Sequence, residues 1–202
     1  MNASPDVDPA TVRRRRLQLL LIALMFFGPL ALSFWVYYGD ASLQPQGRVQ
    51  HGDLISPARA LPTLSLPMAD GARTPADFLK AKWSLVYVAG AACDAACEAV
   101  LADARSIHFA LSGEMMRVRR VLLCTARCGT IADPGLQTAW LEGADGERLL
   151  AAFPSYGPPV ADGHRLYVID PLGNLLMSYP AGTAKKGILK DLEKLLRLSH
   201  IG

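Results

Sequence analysis

Near its N-terminus the chain has a long, mainly apolar segment, residues 17–38, which reads LQLLLIALMFFGPLALSFWVYY and contains no charged side chain. A helix rises about 1.5 Å per residue, so roughly 20 apolar residues are enough to cross the hydrocarbon core of a bilayer. The segment therefore predicts one transmembrane helix. Four arginines, Arg13–Arg16, come before it, and aromatic residues end it. Because basic residues stay on the cytoplasmic side, we expect the remainder of the chain to lie outside the cytoplasm.

A cleaved signal peptide is the alternative interpretation of this segment. The apolar region of a signal peptide is usually about 7–15 residues long and ends in small residues at the cleavage site. Here the apolar run is longer, and Phe34, Trp35, Tyr37 and Tyr38 stand where small residues would be needed. We therefore expect an uncleaved anchor in the inner (cytoplasmic) membrane, with the C-terminal domain in the periplasm.

After residue 60 the hydrophobic pattern becomes that of an α/β domain. WSLVYVAG, residues 83–90, is a continuous apolar run typical of a strand buried on both faces. Apolar residues then recur at three- and four-residue steps up to Leu111, which predicts an amphipathic helix. A second buried strand is predicted over 117–125. In the irregular stretch that follows, we expect helix around Leu136–Leu141.

The C-terminal part of the pattern is more regular. Residues 164–180, HRLYVIDPLGNLLMSYP, predict a strand, an Asp-Pro-Leu-Gly turn and a second strand. Residues 187–198 place their apolar side chains on one face of a terminal helix.

Composition and charge then divide the chain into four parts. The cytoplasmic tail is 1–16, the membrane helix 17–38, a polar linker rich in glycine and proline 39–60, and a single domain 61–202. The net charge of +3 comes largely from the arginine block. We therefore predict no nucleic-acid surface on the exported domain.

The candidate chemistry lies in the cysteines. Cys93 and Cys97 are four residues apart at the junction of strand and helix, so their side chains share one face at the helix N-terminus. The partial positive charge there favours thiolates. Such a pair suits Cu(I) binding or reversible disulfide exchange; the alternative is two small buried side chains.

A second Cys-x-x-x-Cys follows at Cys124 and Cys128. The carboxyl ends of neighbouring strands meet at one edge of an open α/β sheet, so this pair is expected near the first. It is a candidate structural disulfide or second thiol pair. Four cysteines allow three connectivities, and the spacing does not choose among them.

Two segments resemble the Sco/SenC family of membrane-anchored, thioredoxin-like proteins that help to assemble the copper site of cytochrome c oxidase. They are LPTLSLPMADGARTPADFLKAKWSLVYVAGAACDAAC and LYVIDPLGNLLMSYP. The similarity covers about residues 60–198 together with the anchor. It implies a thioredoxin-like fold and copper bound by Cys93, Cys97 and, as a third ligand, His164. The implied partners are the oxidase subunit that carries the copper site, other copper chaperones and thiol reductants.

The sequence departs from the family in ways that indicate a divergent member. The family commonly has proline after both cysteines, where this chain has Asp94 and Glu98. His164 precedes Tyr167 by three positions, whereas about five are usual in the family. Two positions along a strand keep a side chain on the same face, displaced by about 6.6 Å, so His164 is still expected to face the site.

Three hypotheses for function follow. The first is a copper metallochaperone, which is not an enzyme in the strict sense. The second is a thiol-disulfide oxidoreductase that keeps partner cysteines reduced, with Cys93 and Cys97 as its catalytic pair. The third is a non-catalytic assembly or binding module that has kept the fold without the chemistry.

Overall fold

The computed structural model describes residues 9–39, 50–129, 131–199 and 201. The chain divides into two units, Met1–Arg48 and Val49–Gly202. Residues 1–8 of the predicted cytoplasmic tail and residues 40–49 of the predicted linker lie outside the described residues.

The first unit contains helix α1, Pro9–Tyr38. Its segment Val12–Tyr38 is long and apolar enough to cross a membrane, and none of its most apolar window is buried by protein. The predicted span therefore lies inside a longer helix. The helix starts earlier because Arg13–Arg16 are good helix formers and extend it in the N-terminal direction.

The second unit is built on one six-stranded sheet among the described residues. Its strands are β1 (Asp53–Ala60), β2 (Trp83–Ala89), β3 (Val118–Cys124), β4 (Leu136–Trp140), β5 (Leu166–Ile169) and β6 (Asn174–Tyr179). The spatial order is β1-β6-β5-β2-β3-β4. The neighbours β2, β3 and β4 run parallel, whereas β5 is antiparallel to β2, and β6 is antiparallel to both β5 and β1.

Helices cover both faces of this sheet. They are α2 (Ala95–Ala110), α3 (Gly143–Ala152) and α4 (Lys185–Leu198), with short 3-10 turns at Ser112–Arg117 and Val160–Asp162. Alternate residues of β2 serve opposite cores: Leu85 and Tyr87 pack in the cluster with α2 and α4, whereas Val86 and Val88 pack in the cluster with α3. This burial on both faces explains why the strand reads as a continuous apolar run.

The predicted order of strand, helix, strand, hairpin and terminal helix is present, but two local predictions were wrong. Residues 53–60, assigned to the linker, form β1, an edge strand that is mostly exposed and therefore carries little apolar signal. The segment around Leu136–Leu141, expected to be helical, forms β4, and the helix α3 follows it instead. β4 pairs in parallel with β3, and this tertiary pairing overrides a weak local preference.

A buried carboxylate joins the start of the domain to its last helix. Asp191, 5% exposed, accepts hydrogen bonds from the backbone N–H groups of His51 (2.7 Å) and Gly52 (3.3 Å) and from the Tyr179 hydroxyl (3.2 Å). Its second oxygen lies 3.0 Å from His51 Nδ1. We call these four residues the Asp191 clasp. They hold the chain in register just before β1.

Candidate functional site

Cys93 and Cys97 meet where β2 gives way to α2. They are joined in a disulfide, with their Cα atoms 5.2 Å apart. Cys97 belongs to the first turn of α2 and is 1% exposed, whereas Cys93 precedes the helix and is only partly buried. The pair therefore presents one accessible sulfur and one enclosed sulfur.

The residue between β2 and α2 that fixes this geometry is Asp94. It is the N-cap of α2: its carboxylate accepts a hydrogen bond from the Cys97 N–H at 2.9 Å, and its carbonyl accepts one from Glu98 N–H at 2.9 Å. An aspartate at this position satisfies backbone donors that the first helical turn leaves without partners. Asp94 therefore fixes the start of α2 and with it the position of Cys97.

Cys97 and His164 line one cavity of about 230 Å³, together with Tyr87, Asp94 and neighbouring backbone. The cavity lies at the carboxyl end of β2, beside the residues that lead into β5. This is the edge at which ligands gather in open α/β sheets. The structure thus brings Cys97 of the first pair and the predicted third ligand, His164, to the same cavity, although they are distant in sequence.

His164 is held there by a hydrogen bond and by an uncommon backbone conformation. Its Nδ1 lies 2.7 Å from the Tyr87 hydroxyl, with the two rings nearly parallel and 6.5 Å apart. Its φ of +44° falls in the left-handed region, which costs a non-glycine residue about 1–2 kcal/mol. Because Nδ1 is engaged by Tyr87, Nε2 is the ring nitrogen available for a ligand.

Burial, with a smaller contribution from the Asp94 carboxylate, raises the pKa of Tyr87 to about 12. The hydroxyl is therefore protonated at neutral pH and able to donate or accept a hydrogen bond with the imidazole. A carboxylate, hydroxyl or carbonyl that binds one imidazole nitrogen fixes the tautomer that presents the other. Tyr87 was missed by sequence reasoning; the signal was a hydroxyl within an otherwise apolar strand.

Within the described part of the chain, no group of three or more His, Cys, Asp and Glu side chains is arranged to hold a metal. The disulfide explains this for Cys93 and Cys97, because its sulfurs are bonded to each other and only thiolates bind metal well. In general, two thiolates and an imidazole are a donor set that suits copper. Reduction is thus a precondition for metal binding at this site.

The second pair, Cys124 and Cys128, also forms a disulfide, with Cα atoms 6.0 Å apart. Cys124 is the last residue of β3, and its carbonyl accepts a hydrogen bond from Leu141 N–H at 2.7 Å. The side chains are 0% and 5% exposed, respectively. Of the three possible connectivities, the structure has the one in which both disulfides are local. The roles of all four cysteines and of His164 remain predictions.

Family comparisons agree with this organisation. Residues 83–199 match the model of the transmembrane-like, thioredoxin-like family for its C-terminal domain. That match covers more than half of the chain. The chain belongs to this family. Residues 9–40 match the family's transmembrane-like N-terminal domain, which corresponds to helix α1.

Solved structures with this fold include several Sco proteins. Yeast Sco1 is 14% identical, with a TM-score of 0.59 over 72% of this chain and 98% of that one. Bradyrhizobium japonicum ScoI, solved with copper bound, is 16% identical, with a TM-score of 0.51 over 71% and 98%. BsSco, in which a disulfide switch was identified, belongs to the Sco family of cytochrome c oxidase assembly proteins. It is 15% identical, with a TM-score of 0.52 over 73% and 98%.

At these identities the similarities establish the fold. The resemblance in sequence implied the thioredoxin-like fold of the Sco proteins. The structural similarities and the family match confirm this fold for the chain. No curated protein matches the sequence.

Proposed function

We propose that this chain is a membrane-anchored copper-binding assembly factor for cytochrome c oxidase. In this proposal copper is the cargo, and Cys93, Cys97 and His164 bind it. The observation that carries the proposal is the shared cavity, which is lined by His164 and by Cys97, the disulfide partner of Cys93, although the histidine is distant in sequence. The copper-bound ScoI structure and the role of BsSco in oxidase assembly support it through a common fold.

The first step is reduction of the Cys93–Cys97 disulfide by a thiol reductant. The reductant's two thiols become a disulfide, and the two sulfurs of the site gain the electrons and protons. Deprotonation of the thiols then gives two soft ligands for Cu(I). The imidazole of His164 adds a nitrogen donor that also suits Cu(II). Tyr87 holds the imidazole so that Nε2 points away from the hydrogen bond.

The membrane arrangement follows from helix α1. With Arg13–Arg16 on the cytoplasmic side of the inner membrane, the domain lies in the periplasm, where an oxidase subunit carrying a copper site is within reach. A reporter fused after Ile201 tests this orientation: alkaline phosphatase, which is active only outside the cytoplasm, should be active. An active cytoplasmic reporter, such as green fluorescent protein, would instead indicate the opposite orientation.

Anaerobic titration tests copper binding by the full chain in detergent, after reduction and removal of the reductant. A chromophoric Cu(I) chelator serves as competitor. We expect one Cu(I) per chain to be withheld from the chelator by the native protein, and none by the Cys93→Ser/Cys97→Ser variant. The matched comparator is Cys124→Ser/Cys128→Ser, which removes two sulfurs from the other pair. Equal retention by the native protein and the first variant would overturn the proposal.

A second candidate is a thiol-disulfide oxidoreductase, and the disulfide itself favours it. Cys93 is accessible and Cys97 enclosed, which is the arrangement of an attacking and a resolving thiol. This candidate predicts turnover with a disulfide substrate in metal-free protein. Turnover that survives chelation, together with no retention of Cu(I), would favour the oxidoreductase over the copper-binding factor.

A further inference from the structure

We propose that Cys124 and Cys128 are a reserve dithiol that returns the Cys93–Cys97 disulfide to its reduced state by internal exchange. The proposal goes beyond copper binding, because it concerns only the four sulfurs. Three features of the fold carry it: the register of β2 and β3, the face on which the sulfurs lie, and the difference in their exposure.

Register places the two pairs at the same edge of the sheet. β2 and β3 are parallel, and Ala89 and Cys124, the last residues of each strand, are direct partners. The pairing continues past the strands, because Thr125 N–H donates to the Ala89 carbonyl at 3.0 Å. Adjacent strands are about 4.8 Å apart, so the chain leading to Cys93 starts one strand spacing from Cys124.

The sulfurs also lie on the same face of that sheet. Ala89, Cys97, Cys124 and Cys128 are buried in one apolar cluster with α2, and Cys93 packs against its edge. Ala89 further lines the cavity that Cys97 borders. Ala89, whose side chain is only a methyl group, therefore neighbours Cys124 across the strands and shares a cavity with Cys97.

The two pairs differ in how accessible they are to a reductant. Cys93 is partly exposed, whereas Cys124 and Cys128 are enclosed. The loop that joins Cys124 to Cys128 also contacts the end of β4 and the residue that precedes α3. The Arg127 guanidinium lies 4.9 Å from the Trp140 ring centroid and pairs with Glu142 at 2.9 Å. A bulky protein reductant therefore reaches Cys93 directly and the second pair only through it.

The exchange is balanced without any external oxidant. With the second pair reduced and the first oxidised, the Cys124 thiolate attacks Cys97, forming a Cys124–Cys97 disulfide and releasing Cys93 as a thiol. The Cys128 thiolate then attacks Cys124 and releases Cys97. One disulfide is lost and one is formed, and two protons move from the second pair to the first. Loading of the reserve by an external protein dithiol is the same sequence in reverse.

A trapping experiment tests the central step in the full chain in detergent, with a metal chelator present. The Cys93→Ser/Cys128→Ser variant keeps only Cys97 and Cys124, and mild oxidation should join them in a disulfide detected by peptide mapping. The matched control is Cys97→Ser/Cys128→Ser, which keeps Cys93 and Cys124. In this variant the disulfide between the two remaining cysteines should form much more slowly. Free thiols at Cys97 and Cys124 after oxidation, or equal rates in the two variants, would overturn the proposal.

A rate measurement on chains that retain the second disulfide keeps the proposal testable if the trapping variants misfold. Reduced thioredoxin is the probe, and alkylation followed by mass spectrometry counts the thiols at each position. In the native chain, thiols at Cys124 and Cys128 should appear after those at Cys93 and Cys97. In the Cys93→Ser/Cys97→Ser variant their appearance should slow by at least about tenfold, since access limits exchange. An unchanged rate would show that the second pair is reduced independently. Because copper is absent, failure here is distinct from failure of copper binding.

Discussion

The two Cys-x-x-x-Cys pairs of this domain share their spacing and their disulfide state but not their surroundings. Cys93–Cys97 spans a loop and the first turn of α2; Cys93 is partly accessible, and Cys97 lines a cavity together with His164. Cys124–Cys128 follows a central strand and is enclosed by apolar side chains. The same spacing therefore occurs in two different environments. What surrounds each sulfur decides whether the pair can react and bind metal.

The comparison shows why the helix end matters. The first pair lies at the N-terminus of α2, where the partial positive charge of the helix favours thiolates after reduction. The second pair is enclosed by apolar side chains at the end of a central strand. We therefore expect metal affinity at the first pair and a mainly stabilising or electron-holding role at the second.

The strongest test of this contrast is loss of copper at one pair only. Replacing Cys93 and Cys97 with serine should abolish stoichiometric Cu(I) retention, whereas the same replacement at Cys124 and Cys128 should leave retention measurable. The reason is that Cys97 of the first pair lines a cavity together with His164. Competition with a Cu(I) chelator measures both. Loss of retention in both variants to the same extent would show that the pairs are equivalent.

Next in size is the effect of the histidine that only the first pair possesses. His164→Ala should weaken Cu(II) binding by more than about a hundredfold, because loss of an outer-shell partner alone costs up to that much. Cu(I) should be affected less, since two thiolates satisfy it. Electron paramagnetic resonance of the Cu(II) form should lose its nitrogen hyperfine coupling. An unaltered spectrum would remove His164 from the ligand set.

For the stability of the domain, we expect the second disulfide to matter more than the first. Both disulfides close loops of the same length, with a sequence separation of 4, so the loop-closure contribution is equal. It amounts to about 2 kcal/mol by chain entropy. Cys124→Ala/Cys128→Ala should lose this amount and also leave space in the core, whereas Cys93→Ala/Cys97→Ala should lose less in total. Urea unfolding followed by tryptophan fluorescence measures the free energies, and the reverse order would contradict the assignment.

Tyr87→Phe should give a smaller change that sharpens the role of His164. It removes one hydroxyl and keeps the ring in the core, so the fold should persist. Cu(II) affinity should fall by about tenfold, the lower end of the range for outer-shell partners. Cu(I) affinity should change little. A fall in Cu(I) affinity equal to that for Cu(II) would point to a structural effect on the cysteine loop instead.

The raised pKa of the Tyr87 hydroxyl predicts that the domain loses stability at alkaline pH. This pKa is about 12 in the folded domain and about 10 in the unfolded chain. Because the folded pKa is the higher one, the unfolded state loses its proton first, and the contribution to stability declines from about pH 10 to about pH 12. Tyr87→Phe should lessen this decline without abolishing it, since burial also raises the pKa of Tyr167 and Tyr179.

The smallest expected effect concerns the cap that only the first pair has. Asp94→Ala removes the acceptor for the Cys97 N–H and should lower the free energy of unfolding by about 1 kcal/mol. Asp94→Asn keeps an acceptor and should recover most of it. Thermal unfolding monitored by circular dichroism compares the three chains. No difference between alanine and asparagine would show that the cap contributes little here.

Much of the fold was predictable because its signals are local. The apolar run of β2, the periodicity of α2 and the turn between β5 and β6 depend on neighbouring residues. β1 and β4 were missed because their strand character comes from pairing with β6 and β3, which no local window contains.

The site divides in the same way. Helix geometry predicts that Cys93 and Cys97 meet, but the bond between Tyr87 and His164 joins residues 77 positions apart. Only the resemblance to a known family suggested His164, and nothing in the local pattern suggested its tyrosine partner. The connectivity of the cysteines likewise needed the three-dimensional arrangement.

The Asp191 clasp determines where the chain can be cut to obtain a soluble fragment. A fragment that begins at residue 61, the boundary that hydrophobicity favours, discards His51 and Gly52 together with β1. Of the donors in the clasp, Asp191 would then keep only the Tyr179 hydroxyl, and each lost hydrogen bond to a charged group costs about 1.5–3 kcal/mol. A start at Gln50 retains the donors, so we expect the longer fragment to be the one that crystallises.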